Sequence, residues 1–265
     1  MTRAWLLMLA MALPGTAGSV LAQAALQPHI AAYRVGLDSR PGEASALSDA
    51  VGGLVIEWRL ACDGWLSRQR LGFVGTIDGG GTINHDVRFT SWEAMDGSRL
   101  RYVVRSFEND QLQSEFRGIA ELQEDGGVAD FTAPRKETVA LPPGTVFPTE
   151  HIRQVLEAAA AGARFVSHEV FDGFDFDALR QVTSVIGAER PLEPQPGIAA
   201  EGSGEHAWPL SMAYYKVQRG EQEPEFEATF LLDDKGILYD VGLDYGDFRL
   251  RGELEQLELL QRPAC

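Results

Sequence analysis

Residues 52–77 read "GGLVIEWRLACDGWLSRQRLGFVGTI". Leu54, Ile56, Trp58 and Leu60 alternate there with Val55, Glu57 and Arg59. A period of two places alternate side chains on opposite faces of an extended chain, so the stretch predicts a strand with one apolar face. Cys62 continues the inward set, where a small apolar side chain is at home. Asp63-Gly64 then reads as a turn, and Trp65 opens a second extended run.

The same pattern recurs along most of the chain. "HIAAYRVGL" (29–37) alternates, and "DVRFTSWEAM", "RLRYVVRSFEN", "LQSEFRGIAELQ" and "VADFTAPRKETVAL" follow in quick succession. Asp96-Gly97 and Asp125-Gly126-Gly127 separate several of them with hairpin chemistry. Asp234-Lys235-Gly236 does the same between late strands. Arginines alternate with apolar residues in "VRFTSW" and "RLRYVVR", which predicts one solvated sheet face. The expected fold is mostly β, an antiparallel meander. The leucine spacing of the final stretch fits strand or helix.

One segment departs from this period. In "FPTEHIRQVLEAAAAGARF", Ile152, Val155, Leu156, Ala159, Ala160 and Ala163 recur at helical spacing. Pro148 suits the first turn, Thr149 is the expected cap, and Glu150 favours the positive end of the helix dipole. Gly162 supplies an exit. A narrow alanine stripe lets this single main helix lie close against a sheet.

The chain opens with "MTRAWLLMLAMALPGTAGSVLAQA". One cation, an apolar run ended by Pro14, and small residues are the order of a secretory signal peptide, 1–22, with cleavage after Ala22 or Ala24. The run is too short for a membrane span, which needs about 20 apolar residues. No later segment is apolar enough to cross a bilayer. The remainder, 25–265, is expected to form one domain, with a Pro/Gly-rich loop near 190–206. Export to an oxidising compartment makes the two cysteines, Cys62 and Cys265, a candidate disulfide. Closing a loop of about two hundred residues would restrict the unfolded chain by roughly 5 kcal/mol. A metal site needs more ligands than this pair, and a reactive thiol would want a partner such as CxxC to lower its pKa.

Acidic residues outnumber basic ones, 39 to 23, for a formal charge of −16. Nucleic acid is thereby a poor partner, and so is an anionic membrane surface in general. No motif announces catalysis or a cofactor. The five histidines form no HExxH, and no two lie i, i+4 on a helix. Glu150 and His151 are consecutive and point apart, so His151 is expected to hydrogen-bond locally. A calcium loop of the EF-hand type needs ligands at its first, third and fifth positions and then a glycine; in "DGFDFDAL" Gly173 comes second, and the stretch reads as a solvated turn. "DGGGTINHD" lacks the phosphate-loop lysine, and GxSxG is absent. Trp58, Trp65 and Trp92 read as sheet-packing residues.

The order of "YRVGL", "GGLVIEW…CDGWLSRQR", the "FPTEH" helix start and the late cysteine resembles the EipB family of periplasmic cell-envelope integrity proteins of Gram-negative bacteria. That resemblance implies a broad antiparallel sheet wound into a spiral or open barrel, and carries a disulfide onto Cys62 and Cys265. It supplies no catalytic residues. The functional expectation is a non-catalytic periplasmic protein, without cofactor or metal, that supports envelope integrity by binding an envelope ligand or partner protein in the concave face. The alternatives are a periplasmic carrier of lipid or lipoprotein with a hydrophobic ligand, and a cell-wall hydrolase.

Overall fold

A computed structural model of the protein describes residues 26–38, 45–193, 198, 204–217 and 223–265. The expected signal peptide and the centre of the Pro/Gly-rich loop lie outside the described residues. Eight strands come first: β1 (His29–Leu37), β2 (Leu47–Leu60), β3 (Gly64–Ile77), β4 (Thr82–Ala94), β5 (Arg99–Glu108), β6 (Gln111–Gln123), β7 (Gly126–Ala133) and β8 (Glu137–Leu141). Helix α1 (Pro148–Ala160) follows. Seven more complete the chain: β9 (Phe165–Phe171), β10 (Leu179–Ile186), β11 (Arg190–Pro191), β12 (His206–Lys216), β13 (Phe226–Asp233), β14 (Leu238–Asp244) and β15 (Arg249–Leu259).

All of these strands join one sheet, in the order β8-β7-β6-β5-β4-β3-β2-β1-β15-β14-β13-β12-β10-β9, with β11 on β12. Two meanders therefore meet where β1 pairs antiparallel with β15, His29 opposite Leu259. So wide a twisted sheet must curl. It curls until its ends approach, with Val146 bridging Val170 beside α1. The result is a nearly closed antiparallel barrel. The final stretch, ambiguous by leucine spacing, is strand β15, because both of its edges are taken by β1 and β14. No described helix is long and apolar enough to cross a membrane.

The inward alternation seen in "GGLVIEW" extends around the barrel and fills it. Tyr33, Leu54, Phe73, Tyr239 and Leu250 form one buried cluster. Trp58, Trp208, Met212 and Leu232 form a second with Val155 and Leu156 of the helix. Leu100, Tyr102, Phe131, Phe147 and Phe171 form a third. The described concave face is thus lined by the chain's own apolar side chains. Gly118 and Gly173 make room for Tyr102, since a Cβ on either would lie 2.4–2.5 Å from its ring or hydroxyl. "DGFDFDAL", expected as a solvated turn, instead folds back on the barrel: Phe176 meets Phe131 edge-on at 4.9 Å between centroids.

Cys62 and Cys265 are joined, 203 residues apart in sequence and 5.7 Å between Cα atoms. The bridge sits differently from the sequence expectation. β2 ends at Leu60, and Cys62 lies exposed in the turn to β3 rather than inward on a strand. The turn starts early because the Ala61 amide already bonds the Gly64 carbonyl at 2.8 Å. An exposed turn is where a tail leaving β15 can reach it. That tail is also held by the Leu260 amide on the Pro28 carbonyl, 2.8 Å, and by Arg262 on the Leu26 carbonyl, 2.5 Å.

Candidate functional site

Two places combine unusual chemistry with definite geometry, one inside the barrel at the start of α1 and one on its outer face. Pro148 stands at the first helical position, as its fixed φ favours. Thr149 does not cap the helix; the cap position is Phe147, which offers no side-chain acceptor. The free amides are met from the sheet. Glu93 of β4 accepts from the Thr149 and Glu150 amides, each at 2.8 Å. Glu93 is 2 % exposed, and this burial raises its carboxyl to about 7 against the pull of those amides. Glu150 turns along the helix to pair with Arg153.

His151 is buried and points away from its local backbone. Its Nδ1 lies 2.9 Å from His168 Nδ1 on β9, so the bond is long-range rather than local. Two facing ring nitrogens need one proton between them, so one Nδ1–H donates and the accepting ring must be neutral. Burial, then the neighbouring ring, lowers His151 to about 3. Its Nε2 has no partner. Tying α1 to β9 across this pair, and to β4 through Glu93, fixes the helix as a plug at the seam of the sheet. Among the described residues no group of three or more His, Cys, Asp or Glu could hold a metal ion.

Two further buried polar groups serve the fold. Arg180 pairs with Asp175 at 2.9 Å and Glu225 at 3.0 Å, clamping the β9–β10 turn to β13. Asp233 accepts from the Lys235, Ile237 and Gly204 amides and so shapes the β13–β14 hairpin.

The outer face of β3 to β7 carries a groove of about 370 Å³. Leu66, Trp92, Val103 and Ile119 line it with apolar surface, and Arg101 and Arg117 flank them. Their proximity follows from register: Leu66 opposes Trp92, Trp92 opposes Arg101, and Arg101 opposes Ile119 on successive strands. The residues lining the groove include no carboxylate. Arg101 has no carboxylate partner among the described residues, and its guanidinium lies over the Trp92 ring, 5.1 Å from the centroid. A site of this make-up, apolar in the middle and cationic at the side, suits a ligand with both characters.

The expected site residues are therefore dispersed. Cys62 and Cys265 are brought together, and Pro148 to His151 form the start of a helix, with Thr149 and His151 buried, and do not line the outer groove. Glu93, Arg101 and Arg117 were not singled out from sequence. The alternation of arginines in "RLRYVVR" signalled the outer face, whereas an inward Glu93 carried no signal.

Comparison with known proteins places the chain. It matches the family described as EipB-like over residues 21–261. It is 32% identical over 253 residues to the cell envelope integrity protein EipB of Brucella abortus (strain 2308), covering 92% of this chain and 89% of that protein. Among solved structures it is similar to a beta-barrel-like protein, of a domain of unknown function, from Brucella abortus. The TM-score is 0.81 at 29% identity, covering 89% of this chain and 99% of that one.

Proposed function

Because this chain belongs to the EipB-like family, we propose that it is an exported, non-catalytic periplasmic factor that supports cell-envelope integrity by binding an envelope component at the outer-face groove. The observation that carries the reading is the groove itself: an apolar floor beside Arg101, a cation with no carboxylate partner of its own. Half-buried apolar side chains beside a cation form a concave surface of the kind that receives a ligand with an apolar and an anionic part. The concave face, expected to hold the ligand, is lined by the three buried clusters and gives less support.

The test is complementation of a strain lacking the protein, scored as survival in detergent. Val103→Asp with Ile119→Asp puts two charges on the groove floor without touching the buried face. Expected is loss of protection by about tenfold or more, with export level and melting midpoint close to wild type. A stable, exported double variant that protects fully would refute the assignment.

A further inference from the structure

Beyond the groove, the same outer face carries a charge distribution opposite to that of the whole chain. Strand register sets Arg70 directly across from Arg88, and Arg88 directly across from Arg105. Like charges in that position are unfavourable unless something neutralises them. Two carboxylates do part of this: Asp86 serves both Arg70 and Arg88, and Glu115 serves both Arg105 and Arg117. Arg68 reaches Glu57 only at 3.7 Å, a carboxylate already engaged by Arg59. Arg101 has none. With the Arg99–Glu121 pair and Arg59 included, eight arginines of β2 to β6 (59, 68, 70, 88, 99, 101, 105 and 117) thus share four carboxylates (Glu57, Asp86, Glu115 and Glu121), in a chain of formal charge −16.

Next to these rows the face is apolar and bare. Val51 and Val74 oppose one another on β2 and β3 at 64% and 50% exposure. Val55, opposite Arg70, is 42% exposed. Aliphatic side chains, a tryptophan over a guanidinium and several arginines on one sheet face match the interfacial zone of a bilayer. There apolar matter meets phosphodiester groups, and Trp and Arg reside by preference.

We propose, building on the reading of the groove as the binding surface, that the outer face of β2 to β6 docks on a membrane leaflet through the phosphates of anionic phospholipids. Guanidinium forks bind phosphate oxygens two at a time, and the excess of arginine over carboxylate is the complement of that charge. The acidity of the remaining surface does not oppose docking strongly. At physiological ionic strength charges are screened beyond about 8 Å, so the face that touches the leaflet governs the interaction. The low expectation for membrane surfaces from net charge alone follows from averaging over a chain whose charges are segregated.

Sedimentation of the purified, oxidised protein with vesicles tests this, using phosphatidylcholine alone and phosphatidylcholine with about 40% phosphatidylglycerol. Expected is binding to the mixed vesicles only, weakened by added salt. Combined Arg68→Gln, Arg101→Gln and Arg117→Gln should lower the partition about tenfold or more. Arg251→Gln, which removes a cation paired with Asp240 on β14, should leave it unchanged. No binding of wild type at low salt overturns the proposal, as does binding that survives the triple change. Capture of an acidic peptide with no vesicle binding also overturns it in favour of a protein partner. If vesicles fail while the Val103→Asp/Ile119→Asp variant still loses complementation, the lipid assignment alone falls. A triple variant that melts far below wild type would be replaced by single Arg101→Gln, whose guanidinium makes no ion pair to lose.

Discussion

Replacing Glu93 by glutamine isolates the cost of a buried carboxylate that caps a helix from another strand. Glu93 has an ordinary value of 4.5 and is raised to about 7 in the folded protein, first by burial and against its two amide donors. An acid whose folded value lies above its unfolded one withdraws stability as pH rises between them. The interval of about 2.5 units corresponds to roughly 3 kcal/mol lost between pH 4.5 and pH 8. Glutamine copies the neutral acid in shape and does not titrate. One of the two amides meets an NH2 group in the variant, a capping loss of about 1 kcal/mol at every pH.

The difference between the two proteins is therefore pH-dependent, while effects from other groups cancel. For a chain of this size 1 kcal/mol moves the melting midpoint by about 2–4 °C. In circular-dichroism melts, wild type should equal or slightly exceed Glu93→Gln near pH 4.5. Between pH 4.5 and pH 8 the variant should gain about 6–12 °C on wild type. A gap that stays constant from pH 4.5 to 8 would refute the reasoning. It would mean that the Thr149 and Glu150 amides hold the carboxylate ionised throughout.

Two other expectations concern stability. Cys265→Ser, or reduction of wild type, should remove up to roughly 5 kcal/mol by freeing the loop of the unfolded chain, read as matching losses in denaturant midpoint; an unchanged midpoint after full reduction contradicts a structural bridge. Gly118→Ala should cost about 1–3 kcal/mol, because its new methyl would meet the Asp130 carbonyl and the Tyr102 hydroxyl, each at 2.5 Å, and chemical denaturation showing no loss would contradict the packing.

What the sequence discloses about this fold is what local periodicity can encode. Alternation from Leu54 to Trp58 fixes which side chains of β2 face inward, and the Asp-Gly pairs at 96–97 and 125–126 mark hairpins because turn chemistry is a property of adjacent residues. The 3.6 period finds α1 for the same reason. Contacts set by distant register are invisible in that pattern. Glu93 ends the run Phe89, Ser91, Glu93 on the inner face, and nothing near it shows that amides 56 and 57 residues onward will meet it. His151 and His168 are separately visible, but their pairing depends on how α1 crosses β9. Arg70, Arg88 and Arg105 each look like ordinary solvated residues. Only the register of two hairpins makes them neighbours, and only neighbours make a surface of opposite sign to the chain.

The pairing of β1 with β15 has a bearing on biogenesis. Under the proposed export, β1 is delivered first and β15 last, so the strand at the centre of the finished sheet waits with one edge unclaimed. Such an edge invites mispairing, and holdase protection of the emerging N-terminal half is the natural remedy. The Cys62–Cys265 bridge can close only once Cys265 has arrived. Any peptide fused behind Cys265 starts beside the β2–β3 turn, next to the bridge.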